Sequence, residues 1–236
     1  MAAEAVEQGE ASEQHRVIAR AYVESNRVNV LLARGRYAEA LRQSEAFRLH
    51  ADEANLPDQM REAVLNVALC RLRLGHDEEA REGLARLGAW ARLAGDRRLS
   101  ALVKVFEAER LRRNGDLEGA KRSAREAMRE ATELGNGHVL GEGELALAET
   151  FLAEGRLEDA RYYLTGCLRR AEKLQLRRLG VAAQVALAQA AEAEGDESAP
   201  EAFRRAAAEA SAAGYEDLHA DAVRAASRLE QGEEAG

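Results

Sequence analysis

The side chains that could carry out nucleophilic or metal chemistry are few and widely separated in this sequence of 236 residues. Its two cysteines, Cys70 and Cys167, lie 97 positions apart, a separation that gives neither a disulfide framework nor a zinc-binding spacing. The histidines share no ligand spacing on one helix: His15, His50, His76, His138 and His219. We therefore predict no catalytic residue, no metal site and no cofactor, and we expect that the protein is not an enzyme.

Two glycine pairs are the remaining candidates for ligand chemistry, because glycine-rich loops can cradle phosphates. Gly135 and Gly137 flank Asn136, and Gly141 and Gly143 follow shortly afterwards. A phosphate-binding loop requires a strand before it, and the sequence predicts none here. In the repeat register described below, Gly141 and Gly143 align with alanines. Close packing of helices therefore accounts for them better than phosphate binding does.

The sequence has a strict internal period, which defines the helices that would position any functional residue. Five glycines recur every 40 residues, and four of them have an alanine five positions later: Gly35, Gly75, Gly115, Gly155 and Gly195, with Ala40, Ala80, Ala120 and Ala160. Such a period identifies an array of supersecondary units. Apolar residues at helical spacing on both sides of each glycine predict two amphipathic helices per unit, A and then B. A bulky side chain at Ala80 or Ala120 is expected to overpack the junction between them.

The same register divides the chain into a leader, five repeats and a C-terminal segment. Residues 1–15 predict a flexible acidic leader, and residues 216–236 predict a capping helix with an acidic tail. The repeats between them are predicted to span 16–55, 56–95, 96–135, 136–175 and 176–215. Strong helix formers dominate and only Pro57 and Pro200 interrupt them, so we predict an all-α fold. Pro200 fits the first turn of a helix that begins near Ser198.

The net charge of −8 is unevenly distributed along the chain. Residues 1–14 contribute −4 and residues 191–236 contribute −8, which leaves +4 for residues 15–190. A nucleic-acid binder would show a denser basic stripe, so nucleic acid is not an expected partner. No apolar run approaches the roughly 18 residues of a membrane-spanning helix, and the N-terminus lacks the pattern of a signal peptide. We therefore expect a cytoplasmic protein without membrane association.

The spacing of the small residues resembles that of the tetratricopeptide repeat (TPR) family. In that family a small residue lies seven positions before the turn glycine and an alanine lies five positions after it. Here the first of these positions holds Ala68, Ala108, Ala148 and Ala188. The 40-residue unit looks like the longer variants in bacterial maltose-type transcription activators and peptide-sensing phosphatase regulators. The resemblance implies a right-handed α-solenoid of five TPR-like repeats plus a C-terminal capping helix. HEAT repeats are the structural alternative, although their helix-A proline and recurring Asp/Arg pair are absent.

The resemblance also implies a binding surface on the concave side of the array, which the A helices line. The family's contact positions correspond here to Tyr22, Ser25, Asn26, Asn29, Asn66, Leu69, Arg73, Phe106, Glu109, Arg113 and Glu149. Asn29 and Asn66 match two asparagines of the clamp that holds C-terminal carboxylates in chaperone-binding TPRs. The basic residues of that clamp are replaced by Ser25, Leu102 and Phe106. We therefore expect the asparagines to bond a peptide backbone, since each offers a donor and an acceptor.

These observations predict a non-catalytic scaffold that binds a protein or peptide. Two alternatives remain open. The chain could be a ligand- or signal-peptide-sensing module of a bacterial regulator, with the ligand in the groove of the A helices. It could also be a self-associating assembly module, in which case a second copy of the chain is the partner.

Overall fold

The computed structural model describes the backbone of residues 2–233 and the side chains of residues 15–231. The described residues form eleven helices and no strand. In chain order these are α1 (Ala2–Ala33), α2 (Tyr37–Glu53), α3 (Pro57–Leu74), α4 (Asp77–Ala94), α5 (Arg97–Arg113), α6 (Leu117–Glu133), α7 (Gly137–Ala153), α8 (Leu157–Lys173), α9 (Arg177–Ala193), α10 (Ala199–Ala213) and α11 (Glu216–Glu233). The odd-numbered helices from α1 to α9 are the A helices, and the even-numbered helices from α2 to α10 are the B helices.

The chain divides into two compact units, one ending at Gly83 and the other beginning at Leu84. In the first unit, α1 packs on α2 and on α3, and α2 packs on α3. In the second, each helix from α5 to α11 packs against the next one, and neighbouring A helices also contact each other. A buried cluster that includes Leu147 and Phe151 draws residues from α5, α6, α7 and α8. Consecutive packed helix pairs confirm the predicted all-α helical-repeat class.

Every turn from an A helix to a B helix contains a glycine in the left-handed region. The φ angles are 77°, 82°, 81°, 72° and 72° at Gly35, Gly75, Gly115, Gly155 and Gly195. At Gly155, the glycine N–H donates to the Leu152 carbonyl at 3.0 Å and the Arg156 N–H donates to the Phe151 carbonyl at 2.9 Å. These two bonds satisfy carbonyls that the helix end would otherwise leave unpaired. The turn glycines are therefore structural, as the period predicted.

The turns from B helices back to A helices use the same conformation but not always glycine. Gly95 and Gly135 have φ angles of 65° and 64°, whereas Asn55 and Gln175 adopt 52° and 56°. Both residues have a Cβ close to a backbone oxygen in this region, but the short side chain of asparagine can compensate by a local hydrogen bond, which the longer glutamine side chain does not readily form. Gln175 is therefore the more strained of the two non-glycine turn residues.

Replacing Gln175 by glycine is expected to raise the free energy of unfolding by about 0.5–1 kcal/mol. Relief of left-handed strain, about 1–2 kcal/mol, exceeds the added entropy of the unfolded chain, about 0.4–1 kcal/mol. Urea denaturation followed by circular dichroism measures the change. The reciprocal substitution Gly135→Gln is the matched control, because a Cβ at Gly135 meets no atom within 4 Å. It should lower stability; a gain there would contradict the argument.

Alanine columns let the two helices of each repeat approach closely. Ala40, Ala80, Ala120 and Ala160 are all 0% exposed. Twelve residues after the turn glycines, Phe47, Leu87, Ala127 and Cys167 are likewise 0% exposed. Cys167 therefore occupies a core position in the same register as Phe47 and Leu87. Gly141 and Gly143 also serve packing, since an added Cβ would lie 2.6 Å from Leu179 Cδ2 and 2.7 Å from Met128 Cγ, respectively.

Both ends of the described backbone are helical, although the sequence predicted a helix only at the C-terminal end. The backbone is helical from Ala2 onward, where we expected a flexible leader over residues 1–15. Alanine, glutamate and glutamine are good helix formers, so the acidic composition does not prevent α1 from extending through this stretch. The predicted capping helix is α11, which buries Ala222 and Ala226. Met1 and residues 234–236 of the predicted acidic tail lie outside the described residues.

Pro200 lies where the sequence placed it. Ser198 is the N-cap of α10, and the proline falls in the first turn of that helix. A first-turn proline removes no intrahelical hydrogen bond. The fifth repeat therefore keeps its B helix although it lacks the usual alanine.

Candidate protein-binding surface

In the first unit, polar side chains join the A helices α1 and α3. Ser25 Oγ on α1 donates to Glu62 Oε1 on α3 at 2.5 Å. Asn29 Nδ2, one helical turn after Ser25, lies 3.3 Å from the same carboxylate oxygen and 3.5 Å from Ser25 Oγ. Ser25 is buried and Asn29 is exposed. Together with Asn66, these residues are called the α1–α3 polar cluster below.

Asn66 is the member of this cluster whose amide nitrogen has no hydrogen bond to any described residue. Its side chain is only 5% exposed, and Nδ2 is buried. The hydrogen bonds from Ser25 to Glu62 and from Arg112 to Glu149 each connect residues 37 positions apart on successive A helices. Asn29 and Asn66 are separated by the same 37 positions. Asn66 therefore lies on the next turn of the same α1–α3 seam. A buried amide without a partner costs about 1–3 kcal/mol.

The other predicted site residues of the first unit are more exposed than Asn66. Tyr22 and Asn26 lie on the solvent side of α1, and Arg73 is exposed near the end of α3. Leu69 is half-buried. The α1 surface next to Tyr22 also exposes Val23 and Val30, at 63% and 52%.

In the second unit, three of the predicted site residues form ion pairs within the array. Arg113 lies 2.9 Å from Glu109 on the same helix. Arg112 on α5 lies 2.8 Å from Glu149 on α7, and so links two successive A helices. Phe106 is half-buried against the core cluster. Glu109, Arg113 and Glu149 therefore have a structural use, and their charges are at least partly neutralised.

Two residues of this surface were missed by the sequence prediction. Glu62 accepts the hydrogen bonds of the polar cluster, and Arg112 pairs with Glu149. Glu62 occupies the register position thirteen residues before Gly75, so the family's contact pattern could have included it. Its negative charge would repel the carboxylate at a C-terminus.

Both cysteines and two of the histidines have contacts that are structural in character. Burial raises the pKa of both thiols, Cys70 and Cys167, to about 12. At neutral pH these groups are therefore neutral thiols rather than nucleophilic thiolates. His50 Nδ1 lies 2.9 Å from Glu24, and His219 Nδ1 lies 3.0 Å from the Ala207 carbonyl. Within the part of the chain that the structure describes, no three metal-binding side chains come together.

The comparisons with known proteins concern the fold. No protein-family model matches the chain, and no curated protein matches it. Among solved structures, the chain is similar to a crystal structure of nearly identical TPR-like repeats from a Podosopora anserina protein assigned as a kinesin light chain. The TM-score is 0.53 at 17% sequence identity, and the match covers 81% of this chain and 94% of the other.

This likeness and the eleven packed helices define the class of the protein. The chain has the TPR-like helical-repeat fold, and the resemblance seen in the sequence is confirmed at that level. Repeats of this kind generally act as protein-interaction scaffolds, because stacked units present extended surfaces. Among the described residues, no helix is both long and apolar enough to cross a membrane.

Proposed function

We propose that this chain is a non-catalytic scaffold that binds a protein or peptide on its A helices, with the α1–α3 polar cluster as an anchoring point. The observation that carries the proposal is Asn66, whose buried amide nitrogen lies on the seam between two A helices and makes no bond within the described residues. Exposed Tyr22, Val23 and Val30 on α1 supply apolar contact area in the same unit. The two free, buried cysteines suit a reducing compartment, so we place this activity in the cytoplasm.

The chemistry of the cluster favours an extended peptide backbone as ligand. The side chains of Asn29 and Asn66 each offer a donor and an acceptor, and a peptide group needs one of each. Glu62 adds acceptor capacity and negative charge, so a free C-terminal carboxylate is disfavoured there. We therefore expect internal segments of a partner, or segments with basic side chains, rather than chain termini.

Selection from a random-peptide display library, followed by titration of the enriched peptides, tests this function. In the Asn29→Ala/Asn66→Ala variant, the affinity for these peptides is expected to fall about tenfold or more, because a buried peptide group left unpaired costs about 1–3 kcal/mol. Fluorescence anisotropy of labelled peptides measures the Kd. Peptides with an amidated C-terminus should bind as well as the free acids.

Gln43→Ala is the matched control, since it removes an amide side chain from the B helix α2 of the same unit. It should leave peptide affinity unchanged. Equal affinity of the wild type and the double asparagine variant, with helicity retained, would remove the binding site from the polar cluster. Light scattering of the same samples distinguishes partner binding from self-association, because only self-association raises the molecular mass without peptide.

A further inference from the structure

A groove on the B-helix side of the second unit has the properties of a second binding site. It lies between α6 and α8, with the N-terminal half of α7 and Gly166 of α8 as its floor, and is a half-open groove of about 670 Å³. That volume falls within the range of about 300–1,000 Å³ that is usual for ligand sites. The residues that line it include Met128, Tyr162, Tyr163, Gly166, Arg169 and Lys173. This surface is called the α6–α8 groove below.

The charge of the groove is positive because only one of its three cations is neutralised. Arg170 makes two hydrogen bonds of 2.9 Å to the two carboxylate oxygens of Glu144. Arg169 donates to the Thr165 carbonyl at 3.4 Å, and neither it nor Lys173 has an ion pair with a described residue. Two like charges four residues apart on a helix destabilise it slightly. An anion bound between Arg169 and Lys173 would remove that repulsion.

Gly166 keeps the floor of the groove open at a position where packing does not require glycine. An added Cβ would lie 3.4 Å from Glu144 Oε1, which is an ordinary contact with a flexible side chain. At Gly137, Gly141 and Gly143, by contrast, an added Cβ would lie 2.6–2.7 Å from a neighbouring carbon. Glycine inside a helix is less stable than alanine. The open floor is therefore a feature that helix stability alone does not favour.

The groove is elongated and its two ends differ in chemistry. Tyr162 and Lys173 are eleven residues apart on α8, a distance of about 17 Å along the helix. Five residues of extended chain cover about the same length at roughly 3.3 Å each. The exposed aromatic ring of Tyr162 forms one end and the two cations form the other, and Met128 lines the groove from α6. This length favours a peptide over a compact metabolite.

We propose that the α6–α8 groove binds a short acidic peptide segment in extended conformation. Carboxylates of the segment pair with Arg169 and Lys173, and apolar side chains of the segment pack on Tyr162 and on Met128. This site lies on B helices and uses none of the residues of the α1–α3 polar cluster. It therefore gives the scaffold a second, independent specificity.

Fluorescence anisotropy with three labelled hexapeptides tests the site. The first contains four acidic residues and two leucines, the second replaces the acids by their amides, and the third replaces them by lysine. The acidic peptide is expected to bind with a Kd at least tenfold lower than the other two. Arg169→Glu/Lys173→Glu should weaken its binding at least tenfold. Arg122→Glu/Arg125→Glu, which changes the net charge equally on exposed positions of α6 outside the groove, should not.

A second variant tests the site without changing its charge, in case Arg169→Glu/Lys173→Glu folds poorly. Gly166→Leu fills the floor but retains every charge, and it should also abolish binding while circular dichroism shows unchanged helicity. Asn29→Ala/Asn66→Ala should bind the acidic peptide like the wild type, so failure of the first proposed site leaves this one testable. If both charge variants weakened the binding of the acidic peptide equally, the proposal would be overturned, because the peptide would then be attracted by the overall charge of the protein and not by the groove. Displacement of the peptide by millimolar inorganic phosphate would overturn it too, in favour of a small-anion site.

Discussion

Replacing Phe151 by alanine is expected to lower the free energy of unfolding by about 3–5 kcal/mol, the usual cost of deleting a buried aromatic side chain. Phe151 is 2% exposed and belongs to the core cluster that joins α5 to α8. Its ring stacks on Tyr163 with centroids 5.7 Å apart, and the Arg156 guanidinium lies 4.5 Å from its centroid. The substitution therefore removes apolar burial, a stacking contact and a cation–π contact together. Urea denaturation followed by circular dichroism measures the loss.

Tyr162→Ala is the matched control for this substitution. Tyr162 is also aromatic and lies on the neighbouring helix, but it is 72% exposed. Its loss removes only an edge-to-face contact with Tyr163 and should lower stability by no more than about 1.5 kcal/mol. Similar losses for both variants would contradict the assignment of Phe151 to the core. Because stability in repeat arrays is a sum of neighbouring terms, the unfolding transition of Phe151→Ala is expected to broaden as well as shift.

The features that were predictable from the sequence are those that each repeat specifies locally. The turn glycines need a left-handed conformation that other residues rarely adopt, so their spacing predicted five helix turns. Ala160 belongs to the alanine column that the register places at the junction between the two helices of a repeat, and it is 0% exposed. The N-cap at Ser198 followed from Pro200 in the same way. Each of these inferences depends on residues only a few positions apart.

The features that were missed depend on pairs from different repeats. Ser25 bonds Glu62 across 37 residues, and nothing near either residue indicates which partner it will face. The α6–α8 groove is defined by Met128 and Tyr162 on two helices that a third separates. Arg169 and Lys173 lie near the C-terminal end of α8, where any cation complements the helix dipole, and the sequence does not show which cations have acidic partners. Charge pairing between repeats thus requires the packed structure.

The alanine columns allow the opposite change to Phe151→Ala, because a larger side chain overfills the core where the loss of the phenylalanine ring leaves a cavity. Ala160→Leu is expected to lower the free energy of unfolding by about 1–3 kcal/mol, the cost of overpacking a well-packed core. Ala160 is 0% exposed and lies in the same core cluster as Phe151. Leucine is almost as good a helix former as alanine, so a loss would report on packing rather than on helix propensity. Ala208→Leu, at an exposed position of α10, is the control and should leave the urea midpoint unchanged.

The double variant Phe151→Ala/Ala160→Leu separates overpacking from other causes. If the inserted leucine occupies space that the removed ring vacates, the two losses should not add, and the double variant should be more stable than their sum predicts by at least about 0.5 kcal/mol. Strictly additive losses would show that the strain caused by the leucine at position 160 does not reach the space around Phe151. Stability of Ala160→Leu equal to the wild type would contradict the close approach of helices at this column. In that case the recurring alanine would reflect something other than the distance between the helices of a repeat.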